Sequence, residues 1–251
     1  MARVDGVERN RPDRCIAVVP VALVGPGEPQ KRVRSVDRSL SFAAVLSLPG
    51  VEEICELRSH FGFMAFHGGN LERQTDHIAV QAARRSDASV YAVVQPPSLR
   101  HHYRSASVVP KDSAALAAFI DHCDVVISVH GYGRHGHWED LLFGGRNRSL
   151  AEHTAAALGP ALAAVEPNGY QLVTDLERIP KPLRGVHPSN PVNLPTQCGL
   201  QLELPPGVRG LTPQARQFAS PFPPVAALID GLASAASSWT GQRGPVVGTP
   251  S

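Results

Sequence analysis

Apolar and polar positions follow two rhythms along this chain, and each rhythm predicts a kind of element. Short, nearly unbroken apolar runs at residues 63–66, 89–94, 124–129 and 140–143 read as buried strands. Residues 199–204 (GLQLEL) alternate with a period of two, as a strand does. Helical spacing comes between these runs. Residues 72–85 place Ile78, Ala79, Ala82 and Ala83 on one side, and residues 113–122 read as a second helix. Ser149-Leu150-Ala151-Glu152 has the form of a capping box. It predicts a helix to about residue 165, with a stripe of Leu150, Ala157, Leu158, Ala161, Leu162 and Val165, stopped by Asn168-Gly169. A last helix is expected over 225–239, with Leu228, Ile229, Leu232, Ala236 and Trp239 at helical spacing. Short strands alternating with helices predict an α/β fold, a sheet covered on both faces.

The ends of the chain break this pattern. Pro12, Pro20, Gly25-Pro26-Gly27 and Pro29 interrupt residues 1–38, which read as an N-terminal extension. Residues 241–251 read as a tail. Residues 39–240 then form one domain, the simplest arrangement for 251 residues. The apolar stretch 15–26 is broken by Pro20 and is not followed by a small-residue cleavage site. A cytoplasmic location is therefore expected, with export as the lesser alternative. No apolar run is long enough for a membrane span. Formal charge is 24 − 22 = +2, and the Arg-rich N-terminal segment has interleaved acids and no aromatic partners. Neither a membrane nor a nucleic acid is expected as a partner. Cys15, Cys55, Cys123 and Cys198 are far apart and form no CxxC pair. They read as reduced thiols, not as a zinc ribbon or a disulfide framework.

Three polar groups follow apolar strands, where open α/β sheets gather their chemistry. His67 ends FGFMAF and opens His67-Gly68-Gly69-Asn70-Leu71-Glu72, in which glycines permit a tight turn and Glu72 is expected at the start of the next helix. His130 ends DVVISV and precedes Gly131-Tyr132-Gly133, and Glu203 lies near the end of the 199–204 strand. Two histidines and one carboxylate are a common ligand set for catalytic zinc, and a further carboxylate can serve as the base. Each residue also has a plainer reading. The histidines could bond to backbone at turns, Glu72 could answer a helix dipole, and Glu203 could be a solvent-facing alternate.

HGGNLERQTDHIA, SVHGYG, LLFGGRN and HPSNPVNLPTQCGLQLELP, in this order and at these distances, resemble the poly-γ-glutamate hydrolase family of phage and bacterial enzymes. The resemblance covers residues 41–209. It implies a single-domain, zinc-carboxypeptidase-like α/β fold with a mixed open sheet flanked by helices, and a zinc-dependent amidohydrolase or peptidase. It also implies zinc as the cofactor, with His67, Glu72 and His130 as its ligands and Glu203 as the general base. The family motif H-G-G-G-I-E reads His67-Gly68-Gly69-Asn70-Leu71-Glu72 here, so its third glycine is replaced. A family segment L-H-I-T-S-T corresponds to His102-Tyr103-Arg104-Ser105-Ala106, where only the histidine aligns. That departure bears on substrate preference. The extension has no counterpart in the family.

The implied substrate is poly-γ-glutamate or another acidic peptide, and its carboxylates and developing oxyanion need donors. His102, Arg104, Arg146 and Asn193 are the substrate-binding candidates by position. Asn190 and Asn193 could instead cap a turn. His135 and His137 read as part of a loop bordering the cleft, as does Trp138, while His77 reads as helix surface and His101 as solvent-facing. Two further functions remain open: a zinc enzyme acting on another N-acyl amino acid or a cell-wall peptide, and a non-catalytic phage-related binding module. An intact Glu203 argues against the latter.

Overall fold

The computed structural model describes residues 40–166, 169–218 and 221–241. The predicted N-terminal extension, Cys15 and Asn168 lie outside the described residues, as does the predicted tail apart from Gly241. In chain order the elements are α1 (Phe42–Leu46), β1 (Glu52–Glu56), β2 (Ser59–Gly69), α2 (Thr75–Ser86), β3 (Ala88–Gln95), α3 (Ala114–His122), β4 (Val125–Gly131), β5 (Asp140–Phe143), α4 (Arg148–Val165), β6 (Gln171–Val173), β7 (Gly199–Leu204) and α5 (Pro223–Ser238).

The strands form one mixed sheet in the order β1-β3-β2-β4-β7-β5-β6. The central four, β3, β2, β4 and β7, run parallel. β1 lies antiparallel to β3 at one edge, and β5 lies antiparallel to β7 on the other side. The apolar runs predict these central strands well because parallel strands are buried on both faces. Alternate residues serve opposite faces. Phe63, Ile127 and Leu202 join a core built against α2, α4 and α5. Met64 and Val126 join a second core with Phe42, Leu116 and Phe119, from α1 and α3. Among the described residues, no helix is long and apolar enough to cross a membrane.

Several expectations change in detail. The run at 63–66 is the middle of an eleven-residue strand. Helix α2 buries Ile78, Ala79, Ala82 and Ala83 as predicted, but starts at Thr75 behind a left-handed Gln74. Glu72 therefore lies in the preceding turn, not in the helix's first turn. The predicted Ser149 capping box gives way to Asn147, whose side chain accepts from Leu150 N. The buried stripe of α4 is Leu150, Ala151, Thr154, Leu158 and Leu162, while Val165 is exposed. The pattern gave no sign of α1, β1 or β6.

Candidate metal centre

The parallel strands β2, β4 and β7 are neighbours in the sheet, so the three polar groups near their carboxyl ends come side by side. His130 and Glu203 are register partners. His67 reaches the same place through a bulge: between Ala65 and Gly68 the register against β3 slips by one residue. A bulge bends a strand and re-aims its side chains. Phe66 and His67 both meet Tyr103 as a result, one through its carbonyl and the other through its ring.

The turn after β2 brings Glu72 back over the strand. Glu72 N donates to the His67 carbonyl at 2.9 Å, and the Glu72 carbonyl accepts from the Thr75 hydroxyl at 2.8 Å. Gly69 has φ +68°, and a Cβ there would stand 2.1 Å from the Gln95 carbonyl oxygen, so this position needs glycine. Asn70, in place of the family's third glycine, has a different task. Its amide donates to the carbonyls of Pro97 and Leu99, both at 3.1 Å, and tethers the loop after β3.

Both oxygens of Glu72 face imidazole nitrogens. Oε1 lies 2.9 Å from His67 Nδ1, and Oε2 lies 3.3 Å from His130 Nδ1. Oε2 also accepts from Gly131 N at 2.9 Å. The two rings stand 5.0 Å apart and nearly perpendicular. One ligand atom from each of His67, Glu72 and His130 lies within 4.8 Å of the others. All of this is enclosed: His67 is 2% exposed and His130 3%.

Donor chemistry tests whether these residues fit a cation. His67 Nε2 lies 2.9 Å from the Tyr103 carbonyl, which can only accept, so Nε2 carries the hydrogen. In the neutral ring Nδ1 is then a bare lone pair facing a carboxylate oxygen. Two acceptors at 2.9 Å need a shared proton or a shared cation between them. The backbone contact at Nε2 is also the usual way a ligating histidine is held in one tautomer. The plain turn reading of His67 accounts for Nε2, and Nδ1 is left facing Glu72. His130 Nε2 is buried without a partner. Burial raises the Glu72 carboxyl, but His67 and His130 outweigh it and hold the group well below its ordinary range. Burial likewise lowers His130, and Glu72 reverses this, so its pKa is raised.

Glu203 is buried beside this cluster. Its Oε1 accepts from Gln201 Nε2 at 2.9 Å, and Gln201 Oε1 accepts from Asn190 Nδ2 at 2.7 Å. Burial pushes the Glu203 carboxyl up to about 7; His130 opposes the rise and Glu72 adds to it. Arg209, only 5% exposed, is a buried cation at this centre that the sequence pattern did not suggest. It lies in the turn after β7, in Pro205-Pro206-Gly207-Val208-Arg209-Gly210.

The substrate-binding candidates are placed unequally. The His102 ring stands 5.3 Å from that of His67, and His102 and Arg104 are both exposed. Arg146 follows β5, and its N–H donates to Asn193 Oδ1 at 3.1 Å. The Asn193 amide donates to the carbonyls of Gly185 and His187 at 2.7 and 2.9 Å, so this side chain holds loops together. Asn190 caps the turn that follows it, accepting from Val192 N. His101 does not face solvent as expected. It is 4% exposed, and the Gln95 side chain bonds both its N–H and its carbonyl. His137 pairs with Asp140 at 2.7 Å, and Trp138 is 53% exposed.

A mixed α/β sheet with an imidazole–carboxylate cluster at the ends of its parallel strands places the chain among hydrolases of this architecture. The sequence model of the family described as poly-gamma-glutamate hydrolase matches residues 49–217, and the chain belongs to that family. None of the curated proteins matches the sequence as a relative. Among solved structures, a bacteriophage poly-gamma-glutamate hydrolase is similar with a TM-score of 0.62 at 16% identity, over 80% of this chain and 96% of that one. A zinc-free form of YndL is similar with a TM-score of 0.55 at 20% identity, over 75% of this chain and 90% of that one. A metallo-carboxypeptidase from Pseudomonas aeruginosa is more distant, with a TM-score of 0.39 at 12% identity over 76% of this chain and 65% of that one.

Proposed function

We propose that this protein is a zinc-dependent hydrolase of γ-glutamyl amide bonds. His67, Glu72 and His130 hold the ion, and Glu203 is the general base. The observation that carries this reading is the pair of buried imidazole Nδ1 atoms facing the two oxygens of one carboxylate. Buried histidines and a carboxylate suit zinc better than magnesium or calcium, which prefer oxygen ligands. When bound, zinc lowers the pKa of a coordinated water to about 7 and polarises the scissile carbonyl.

The chain's own residues do the rest. Gln201 occupies Oε1 of Glu203, which leaves Oε2 to take the proton of the attacking water. The same oxygen then delivers that proton to the leaving amine. His102, beside His67, is assigned to the substrate carbonyl or carboxylate. Arg104 and Arg146 are assigned to the side-chain carboxylates of an acidic polymer, which a guanidinium fork fits well. Asn193 acts through Arg146, by fixing its backbone.

The test is amine release from poly-γ-glutamate by the zinc-loaded protein, with Glu203→Gln in parallel. Release by the wild type and its loss in the variant is the expected result. A wild type that binds zinc yet releases nothing overturns the γ-glutamyl assignment and directs the assay to cell-wall peptides and N-acyl amino acids.

A further inference from the structure

Arg209 is a buried cation that makes no ion pair among the described residues. Taking a guanidinium out of water is costly, so its surroundings must hold it strongly. They are backbone. Nη1 donates to the Arg73 carbonyl at 2.8 Å, and Nη2 donates to the Tyr132 carbonyl at 3.2 Å. Arg73 directly follows Glu72, and Tyr132 follows Gly131, which itself follows His130. Each bond thus grips the chain beside a proposed metal ligand, on two loops far apart in sequence.

Gly131 completes the arrangement. A Cβ at Gly131 would stand 2.5 Å from Arg209 Nη1 and 2.6 Å from its Cζ, so the guanidinium lies flat against this glycine. The N–H of the same glycine donates to Glu72 Oε2. The charge balance is supplied through space: burial lowers the Arg209 pKa to about 10, while Glu72 and Glu203 oppose that fall. The group stays charged at neutral pH.

We infer that Arg209 is a positioning residue for the metal centre, a clasp that holds the Glu72 and His130 loops at the spacing a cation requires. The inference rests on the metal-centre reading. It makes a prediction that a purely electrostatic role reverses. A positive charge near a dication repels it, so if charge were all that mattered, removing Arg209 would tighten zinc binding. A clasp that preorganises the ligands has the opposite effect when removed.

Zinc affinity of the full chain, measured by competition with a chromogenic chelator, decides between them. Arg209→Met and Arg209→Lys both break the planar fork, and only the second keeps the charge. Gly131→Ala pushes the guanidinium away without changing Arg209, and it decides the matter if Arg209→Met does not fold. Each variant is measured once its circular dichroism matches the wild type. All three are expected to bind zinc about 10- to 100-fold more weakly, the usual size of an effect transmitted through a ligand's supporting contacts. Unchanged or tighter binding by folded Arg209→Met or Gly131→Ala overturns the clasp, and so does full affinity in Arg209→Lys. A wild type that binds no zinc overturns the metal-centre reading instead.

Discussion

Gln201 Nε2 donates to Glu203 Oε1 across 2.9 Å, two positions along the same strand and on the same face. Its own carbonyl oxygen accepts from Asn190, in the loop that precedes β7, so the base is held by a relay that starts outside the strand. Gln201→Leu keeps most of the volume and breaks the relay. It also leaves the Asn190 amide short of an acceptor, a cost of about 1–3 kcal/mol in stability. If Glu203 acts as the base, kcat falls by about 10²-fold with little change in KM, because the base loses its orientation while the substrate contacts remain. Steady-state kinetics checks this, and an unchanged kcat removes Gln201 from the positioning of Glu203.

The same carboxyl sets a pH dependence. Burial pushes Glu203 up to about 7, from an ordinary carboxyl value of 4.5. Only the ionised form can take a proton, so kcat/KM should fall at low pH, and because a bound cation favours the ionised carboxylate that fall belongs below the metal-free value. Gln201 donates to the ionised form, so Gln201→Leu should move that acid limb to higher pH. The stability of the metal-free protein follows the opposite course. Below 4.5 both folded and unfolded chains hold the proton. As pH rises to about 7, the unfolded chain ionises first, and the folded state loses relative stability. Glu203→Gln removes this slope, and urea melts at pH 5 and pH 8 would reveal it. An equal slope in wild type and variant contradicts the raised pKa.

Why these features differ in legibility follows from where each residue's partners lie. β2, β4 and β7 were readable because both of their faces are apolar near Phe63, Ile127 and Leu202. β1 was not, because Glu52, Glu53 and Glu56 suit an edge strand with one solvated face. His67, Glu72 and His130 announced themselves by following strands and adjoining glycines. Gln201 reads as an ordinary polar alternate until Asn190 and Glu203 are seen on either side of it. Arg209 is hidden by a turn-like neighbourhood, since its partners are carbonyls, which leave no mark in a sequence. His101 misled for a similar reason: its backbone is held by the Gln95 side chain, a contact that leaves no mark in the sequence.

Asn70 gives a test of how this chain departs from its family. Its amide ties Pro97 and Leu99, just ahead of His101 to Arg104. Asn70→Gly restores the family residue and releases that loop. A stability loss of about 1–2 kcal/mol is expected for the two hydrogen bonds. Trypsin should then cut faster after Arg100 and Arg104, which limited proteolysis with mass mapping detects. Equal cutting rates in wild type and variant show that Asn70 is not the tether.

Cys55 and Cys123 should be quiet in the folded protein. Burial raises the Cys55 thiol to about 11 and the Cys123 thiol to about 12. Glu53 and Glu56 add to the rise at Cys55. At pH 8 both are almost wholly thiols, and the thiolate is the reactive form. Iodoacetamide should leave both unmodified in native protein and alkylate them in denaturant. Rapid labelling of Cys123 without denaturant would mean that the core around Phe119 opens readily.

Metal binding should also act on stability, because the proposed ligand atoms of His67, Glu72 and His130 converge only in the folded chain. A ligand at 1,000 times its Kd adds about 4 kcal/mol to a native state that alone binds it. In a domain of this size each kcal/mol shifts Tm by about 2–4 °C. Saturating zinc should therefore raise the Tm of the metal-free protein by roughly 10 °C, and a chelator should reverse the gain. His130→Ala removes one proposed ligand and should abolish most of the shift. Its metal-free Tm changes for a separate reason, because Glu72 then loses the His130 imidazole and keeps its bonds to His67 and Gly131. Glu203→Gln should retain the full zinc shift, because Glu203 is the proposed base and not a ligand. Differential scanning calorimetry of the three proteins, with and without zinc, separates the two roles. A zinc shift lost in Glu203→Gln but kept in His130→Ala would exchange their assignments.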